Sequence, residues 1–239
     1  LLRDRAAEIS CDNDQLAEVA IDALTHAGAA RLFMTIAHEV RRQVPFSDLL
    51  HHVFNPDRDE FCRYFTGDLG PRPDDVFAIA QHHRIPTQFL DWTLDPLIAA
   101  YFAASRATPS SCSSARLAVW ALRRDLFDCD WRLCRYSVEP GLTPFLDAQA
   151  GLFTWSRRAY IDRANRGFYV PFDQLVEEEA ANAPLCSLPP PPFLKQVTLP
   201  AEFAEGLLKL LWTERVTPAH LMPTFDHVAE AVCQKVKWL

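Results

Sequence analysis

The chain has 239 residues, 49% apolar and 23% charged, with a net charge of −7. That length supports one domain with a large core, or a domain plus a helical extension. The acidic balance argues against a general nucleic-acid binder, which needs a clustered excess of lysine and arginine; only local basic clusters such as Arg123-Arg124 and Arg157-Arg158 occur here. No apolar run approaches the ~20 residues of a bilayer span and no signal peptide is visible, so a cytoplasmic protein is expected.

In chain order, Leu16, Val19, Ala20, Ala23 and Leu24 recur at helical spacing, with Gly28 as the expected stop. A second helix is expected over Arg31–Val44, ended by Pro45, and short helices over Ser47–Phe54 and Asp59–Phe65. Gly67–Pro73 reads as loop. Residues 1–70 thus form a helical N-terminal part, a candidate surface for a protein partner, and 71–239 an α+β domain. Phe77–Ala80 ends an apolar helix that runs into Gln81-His82-His83, and Ile85-Pro86 forces extended backbone. Thr87–Trp92 reads as a short strand. Thr93 then caps a helix with Asp95 and Pro96 in its first turn.

Arg116–Leu122 is nearly all apolar, which predicts a strand covered on both faces. Trp92 and Trp120 should both be buried, with Trp120→Ala costing on the order of 3–5 kcal/mol. Gln149–Trp155 reads as a strand or bulge around Gly151, and Arg157–Tyr169 as strand or packed loop. An acidic helix over Gln174–Ala183, a polyproline linker over Pro189–Pro192 and a strand over Phe193–Leu199 follow. Helices over Ala201–Arg215, from Thr217-Pro218, and over Thr224–Val236 close the chain. The fold class is α+β, with a small mixed or split sheet and flanking helices.

Polar groups embedded in apolar sequence mark the candidate site. His82 and His83 titrate near neutrality and suit acid, base or donor roles; the alternative is a helix cap and a core ring. Asp91 would orient a ligand or a histidine, or else cap the next helix jointly with Thr93. Gln149 would hydrogen-bond a ligand, or else satisfy loop backbone. Tyr101 and Phe102 read as core. The seven cysteines form no CxxC pair and are expected as thiols. Adjacent histidines point their rings apart on regular elements, so no metal site is expected.

AQHHRIPTQFLDWTLDPLIAAYFA resembles the signature of the FRG domain family, whose members read near alanine-glutamine-histidine-histidine-glycine, proline-threonine-arginine, leucine-aspartate-tryptophan-threonine. Arg84 replaces the usual glycine and Gln88 the usual arginine. Ala118–Leu122, Ala148–Thr154 and Met222–Asp226 follow in the family's order, so the resemblance covers roughly Phe77 to the C-terminus. The N-terminal Phe/Tyr-Arg-Gly motif that names the family is absent.

Asp91–Ala103 is also similar to the second motif of ADP-ribosyltransferases, with Gln149 where their late motif would fall. That similarity implies NAD as substrate, His82, His83, Asp91 and Gln149 as catalytic residues, and Trp92, Thr93 and Phe153 as cofactor contacts. The polar strand-to-helix junction, embedded in apolar sequence on both sides, predicts that His82, Asp91, Thr93 and Gln149 converge on one pocket; if that pocket is an NAD site, the nicotinamide end is expected by Asp91 and Thr93. Those transferases finish with a glutamate that polarises the ribose hydroxyl, and Ala148-Gln149-Ala150-Gly151 offers none. Three functions stay open: an NAD-using transferase acting as a toxin or effector of bacterial anti-phage defence, a non-catalytic ligand-binding or sensor module, and a hydrolase or nuclease using His82 or His83 with Asp91.

Overall fold

A 26-residue helix opens the described chain, α1 (Asp14–Glu39), and it runs straight through Gly28. A mid-helix glycine costs about 1 kcal/mol, and burial of Ala30 and Met34 in the next turns offsets it. The two expected N-terminal helices are therefore one. The computed structural model describes residues 14–40, 74–107, 115–128, 133–138, 144–156, 159–182 and 192–239. The helices expected over Ser47–Phe54 and Asp59–Phe65, the loop Gly67–Pro73, the division near residue 70 and most of the polyproline run lie outside these residues.

The chain divides into two compact units that alternate along the sequence: Leu1–Leu90, Cys129–Val138 and Phe153–Ser187 in the first, and Asp91–Asp128, Glu139–Leu152 and Leu188–Leu239 in the second. In the first unit, α1 packs on α2 (Asp74–His82) and on α5 (Ala159–Arg166). The run Val76-Phe77-Ala78-Ile79-Ala80 is wholly buried, so α2 is a core helix and not an amphipathic surface one. Strand β3 (Leu133–Tyr136) pairs antiparallel with β4 (Gly151–Ser156), Leu133 opposite Ser156. Arg157–Tyr169, expected as strand or packed loop, contains the helix α5 instead. Arg166 at its end forks onto Glu178 of α6 (Phe172–Asn182) at 2.7 and 2.8 Å.

Helix α2 ends in a turn that accounts for one departure from the family pattern. Arg84 has φ +67°, its N–H donates to Gln81 O (2.9 Å) and Ile85 N–H to Ala80 O (2.9 Å). That is the Schellman closure, whose left-handed residue is usually glycine. A side chain there costs roughly 1–2 kcal/mol. Arg84→Gly is therefore expected to raise stability by about 1 kcal/mol, seen as a higher melting temperature; a lower one would mean that the arginine side chain holds the turn through contacts of its own.

The second unit is built on helix α3 (Pro96–Ser105). It packs on β2 (Arg116–Leu122) and on α7 (Ala204–Thr213). Ile98 and Tyr101 meet Leu211, Val216 and Leu221, while Ala104, Leu117 and Ala204 form a neighbouring cluster. Strand β2 pairs antiparallel with β5 (Leu194–Pro200), from Arg116 opposite Pro200 to Leu122 opposite Leu194. Short α4 (Pro144–Ala148) contacts α8 (Pro218–Leu221), which packs on α9 (Phe225–Val236).

The expectation for β2 fails at Trp120, which is 42% exposed. Among the described residues the ladder has two strands, and Leu117 is the one buried residue of β2. Truncating Trp120 would open no cavity, so the large cost expected for Trp120→Ala does not apply; Trp92 is half-buried.

Candidate functional site

The strand before the site is shorter than its composition suggests. Thr87 Oγ1 donates to Gln81 Oε1 (2.8 Å) and accepts from Phe89 N–H (3.1 Å), a local turn that competes with strand pairing. Strand β1 accordingly starts at Leu90 and ends at Thr93. Thr93 is not the helix cap. Asp95 is, with extended backbone and a carboxylate that accepts from Leu97 N–H (2.8 Å), followed by Pro96 at the first helical position. Asp91 therefore does not cap α3 either; it lies exposed on β1. The carboxylate of Asp95 already occupies the amide end of α3, where a phosphate would otherwise sit.

Thr93 and Gln149 do meet. Thr93 Oγ1 donates to the Gln149 carbonyl (2.7 Å) and accepts from Asp95 N–H (3.1 Å), and Leu94 N–H donates to Ala150 O (3.0 Å). Gln149 sits in the turn after α4, 9% exposed, and its side-chain amide donates to Leu221 O (3.2 Å). Ala150 takes the left-handed position at φ +46°. A Cβ on Gly151 would lie 3.0 Å from Leu146 Cδ2 and 3.4 Å from Leu146 O, so glycine lets β4 start flush against α4. Ala148-Gln149-Ala150-Gly151 is thus a helix end, a buried tie, a left-handed residue and a close approach, in that order. Tyr101, in the core of the same unit, has its phenol pushed up to about 12 by burial and then by Glu230.

His82, His83 and Phe153 belong to the other unit. The rings of His82 and His83 meet edge-on at 5.3 Å, and His83 stacks on Phe33 at 5.4 Å. Burial first, and then the charge of His83, push His82 from 6.5 down to about 4. Its folded value lies below its unfolded one, so between about pH 6.5 and 4 the unfolded chain binds the extra proton. Stability is expected to fall as pH drops through that window, and His82→Phe should flatten the dependence. A melting temperature that ignores pH there in the parent chain would contradict it. Phe153, expected as a cofactor contact, is 1% exposed and stacks on Phe89 at 5.3 Å, so it is core.

Gln88, a departure from the family pattern that carries no role in the expected site, is the residue whose polar atoms are left over. Its amide Nε2 and Oε1 are both shut away from solvent with no hydrogen-bond partner among the described residues. Composition gives no sign of this, because Gln88 is a surface residue type; only its place within the signature marks it. No three of His, Cys, Asp or Glu among the described residues cluster as a metal site would, and none of their helices is long and apolar enough to cross a membrane.

The FRG domain profile matches residues 28–112. That span is similar to the FRG domain. The matched span starts well ahead of Phe77 and takes in the second half of α1, α2, β1 and α3; the later blocks from Ala118 onward lie beyond it. Both residues that depart from the usual FRG signature have unusual local physics: Arg84 is a side chain in the left-handed region, and Gln88 is a buried amide with no partner among the described residues. No curated protein and no solved structure matches the chain.

Proposed function

We propose that this chain is a non-catalytic ligand-binding module whose ligand is read by Gln88. The carrying observation is the contrast within the signature region. Thr93, Asp95 and Gln149 are engaged with backbone groups of the scaffold, whereas the Gln88 amide has no partner among the described residues. A buried unpaired amide costs about 1–3 kcal/mol per polar group, which a matching ligand would recover. A glutamine amide offers a donor and an acceptor side by side, and its complement is another primary amide, such as the carboxamide of a nicotinamide. NAD is therefore the ligand to test first.

A second reading keeps NAD but adds turnover, as an ADP-ribosyltransferase-like toxin or effector of anti-phage defence. The 2.7 Å contact between Thr93 and the Gln149 carbonyl favours it, since it brings the middle and late motifs together. The engaged Gln149 side chain weighs against it. A hydrolase or nuclease has less support, because a general base works best with a pKa near the operating pH and His82 sits at about 4.

Calorimetry and thermal shift with NAD, and with nicotinamide alone, test the proposal alongside an assay for released nicotinamide. Binding without release is expected. Gln88→Leu should be more stable by about 1–3 kcal/mol and should no longer bind. Released nicotinamide would establish the transferase reading in its place, and no response to either probe would remove NAD as the ligand.

A further inference from the structure

With Gln88 as the ligand contact, its amide also sets what charge the bound group can carry. Among the described residues, Nε2 and Oε1 of Gln88 are the only buried side-chain polar atoms without a hydrogen-bond partner. Both belong to one planar amide, so a donor and an acceptor stand side by side and each needs an answer. The charged residues nearest in the chain, Arg84 and Asp91, are exposed, where solvent screens them. The next residue, Phe89, is 5% exposed, and α2 ahead of the segment is buried from Val76 to Ala80.

A carboxylate or a phosphate brings acceptors only. It would answer Nε2, leave Oε1 unmet and set a second negative oxygen against it, away from water. An ammonium or guanidinium brings donors only and fails at Nε2. Burying either ion without a countercharge adds the cost of stripping its water. A primary carboxamide answers both atoms and carries no charge.

From this sealed donor and acceptor we infer that Gln88 is a charge filter: the site takes the neutral carboxamide of a pyridine nucleotide and rejects the carboxylate that hydrolysis of that carboxamide leaves. The inference rests on the binding-module reading and adds a selectivity to it. Such a module reports the amidated nucleotide and is blind to the product of an amide hydrolase acting on it. The adenine of NAD also sets a donor beside an acceptor, and ADP-ribose, which keeps the adenine and lacks the pyridine ring, separates the two ends.

Calorimetry of the full 239-residue chain at neutral pH tests this with NAD, its 3-acetylpyridine analogue, nicotinic acid adenine dinucleotide and ADP-ribose. NAD should bind tightest. The acetylpyridine analogue keeps the carbonyl but loses the N–H donor, and should bind about tenfold more weakly. The nicotinic acid form should bind at least about 100-fold more weakly, and ADP-ribose no better than that. Gln88→Arg brings a guanidinium that matches a carboxylate in bidentate fashion, and should reverse the preference between NAD and its acid form. Circular dichroism shows whether that variant folds, and the parent's ligand series decides the point if it does not. An acid form or ADP-ribose within about threefold of NAD overturns the filter while leaving the binding module in place. A folded Gln88→Arg that keeps the parent's preference also overturns it. A parent chain that binds none of these probes removes NAD as the ligand, and the filter with it.

Discussion

Phe153→Ala is expected to lower stability by about 3–5 kcal/mol, the range for emptying a fully buried aromatic site. Phe153 is the largest of the wholly buried side chains, and the void would fall at the centre of an aromatic group. Phe89 stacks on it at 5.3 Å, and Tyr136 stacks on Phe89 at 6.0 Å. Phe77 meets Phe89 edge-on at 6.3 Å. These rings come from α2, the segment before β1, β3 and β4, so one truncation loosens four pieces of the first unit. Denaturant titration measures the effect, with the midpoint falling and the slope unchanged. A loss under about 1 kcal/mol would mean that Phe153 borders a space a ligand could occupy, and would revive it as a cofactor contact.

What was legible in the sequence was local. Asp-Pro at the start of α3, the Thr-Pro start of α8 and the β-rich run Arg116–Leu122 each announce themselves within a few residues, because capping, fixed φ and strand preference act over that range. The misses are of two kinds. Some are local competitions decided by a neighbour: Thr87 closing on Gln81 shortens β1, Asp95 takes the cap from Thr93, and burial of Ala30 and Met34 carries α1 through Gly28. Others depend on distant partners. Nothing near Gln149 predicts that its amide meets the Leu221 carbonyl, 72 residues on, and nothing in Trp120 tells that its own side chain stays largely exposed. The site shows the same limit: Thr93 meets Gln149 at its backbone carbonyl, while the tie that engages the Gln149 side chain with the scaffold was not visible in the sequence.

That tie makes Gln149→Glu the substitution on which the two functional readings part. Protonated, a glutamic acid at this position can still donate a hydrogen bond to Leu221 O; ionised, it sets a carboxylate against that carbonyl at a site only 9% exposed. Desolvation and the carbonyl both raise the folded pKa above its unfolded value near 4.3. The folded state then holds a proton that the unfolded state has released, so the stability lost grows as pH rises from about 4 and levels off above the folded pKa. Near pH 4 the variant should match the parent; at neutral pH it should be less stable by about 3 kcal/mol, the equivalent of a shift of roughly two units. Melting curves at several pH values read this directly. The transferase reading demands the opposite behaviour. A glutamate at the late motif would supply the group those enzymes use on the ribose hydroxyl, and nicotinamide release from NAD should appear or rise steeply at neutral pH. Because the Gln149 amide holds α8 to the turn before β4, the expected result is a weaker fold and no release. A variant that kept its stability at neutral pH and gained release would show that the Gln149 side chain leaves Leu221 to face substrate, and the chain would then be read as a transferase that lacks one carboxylate.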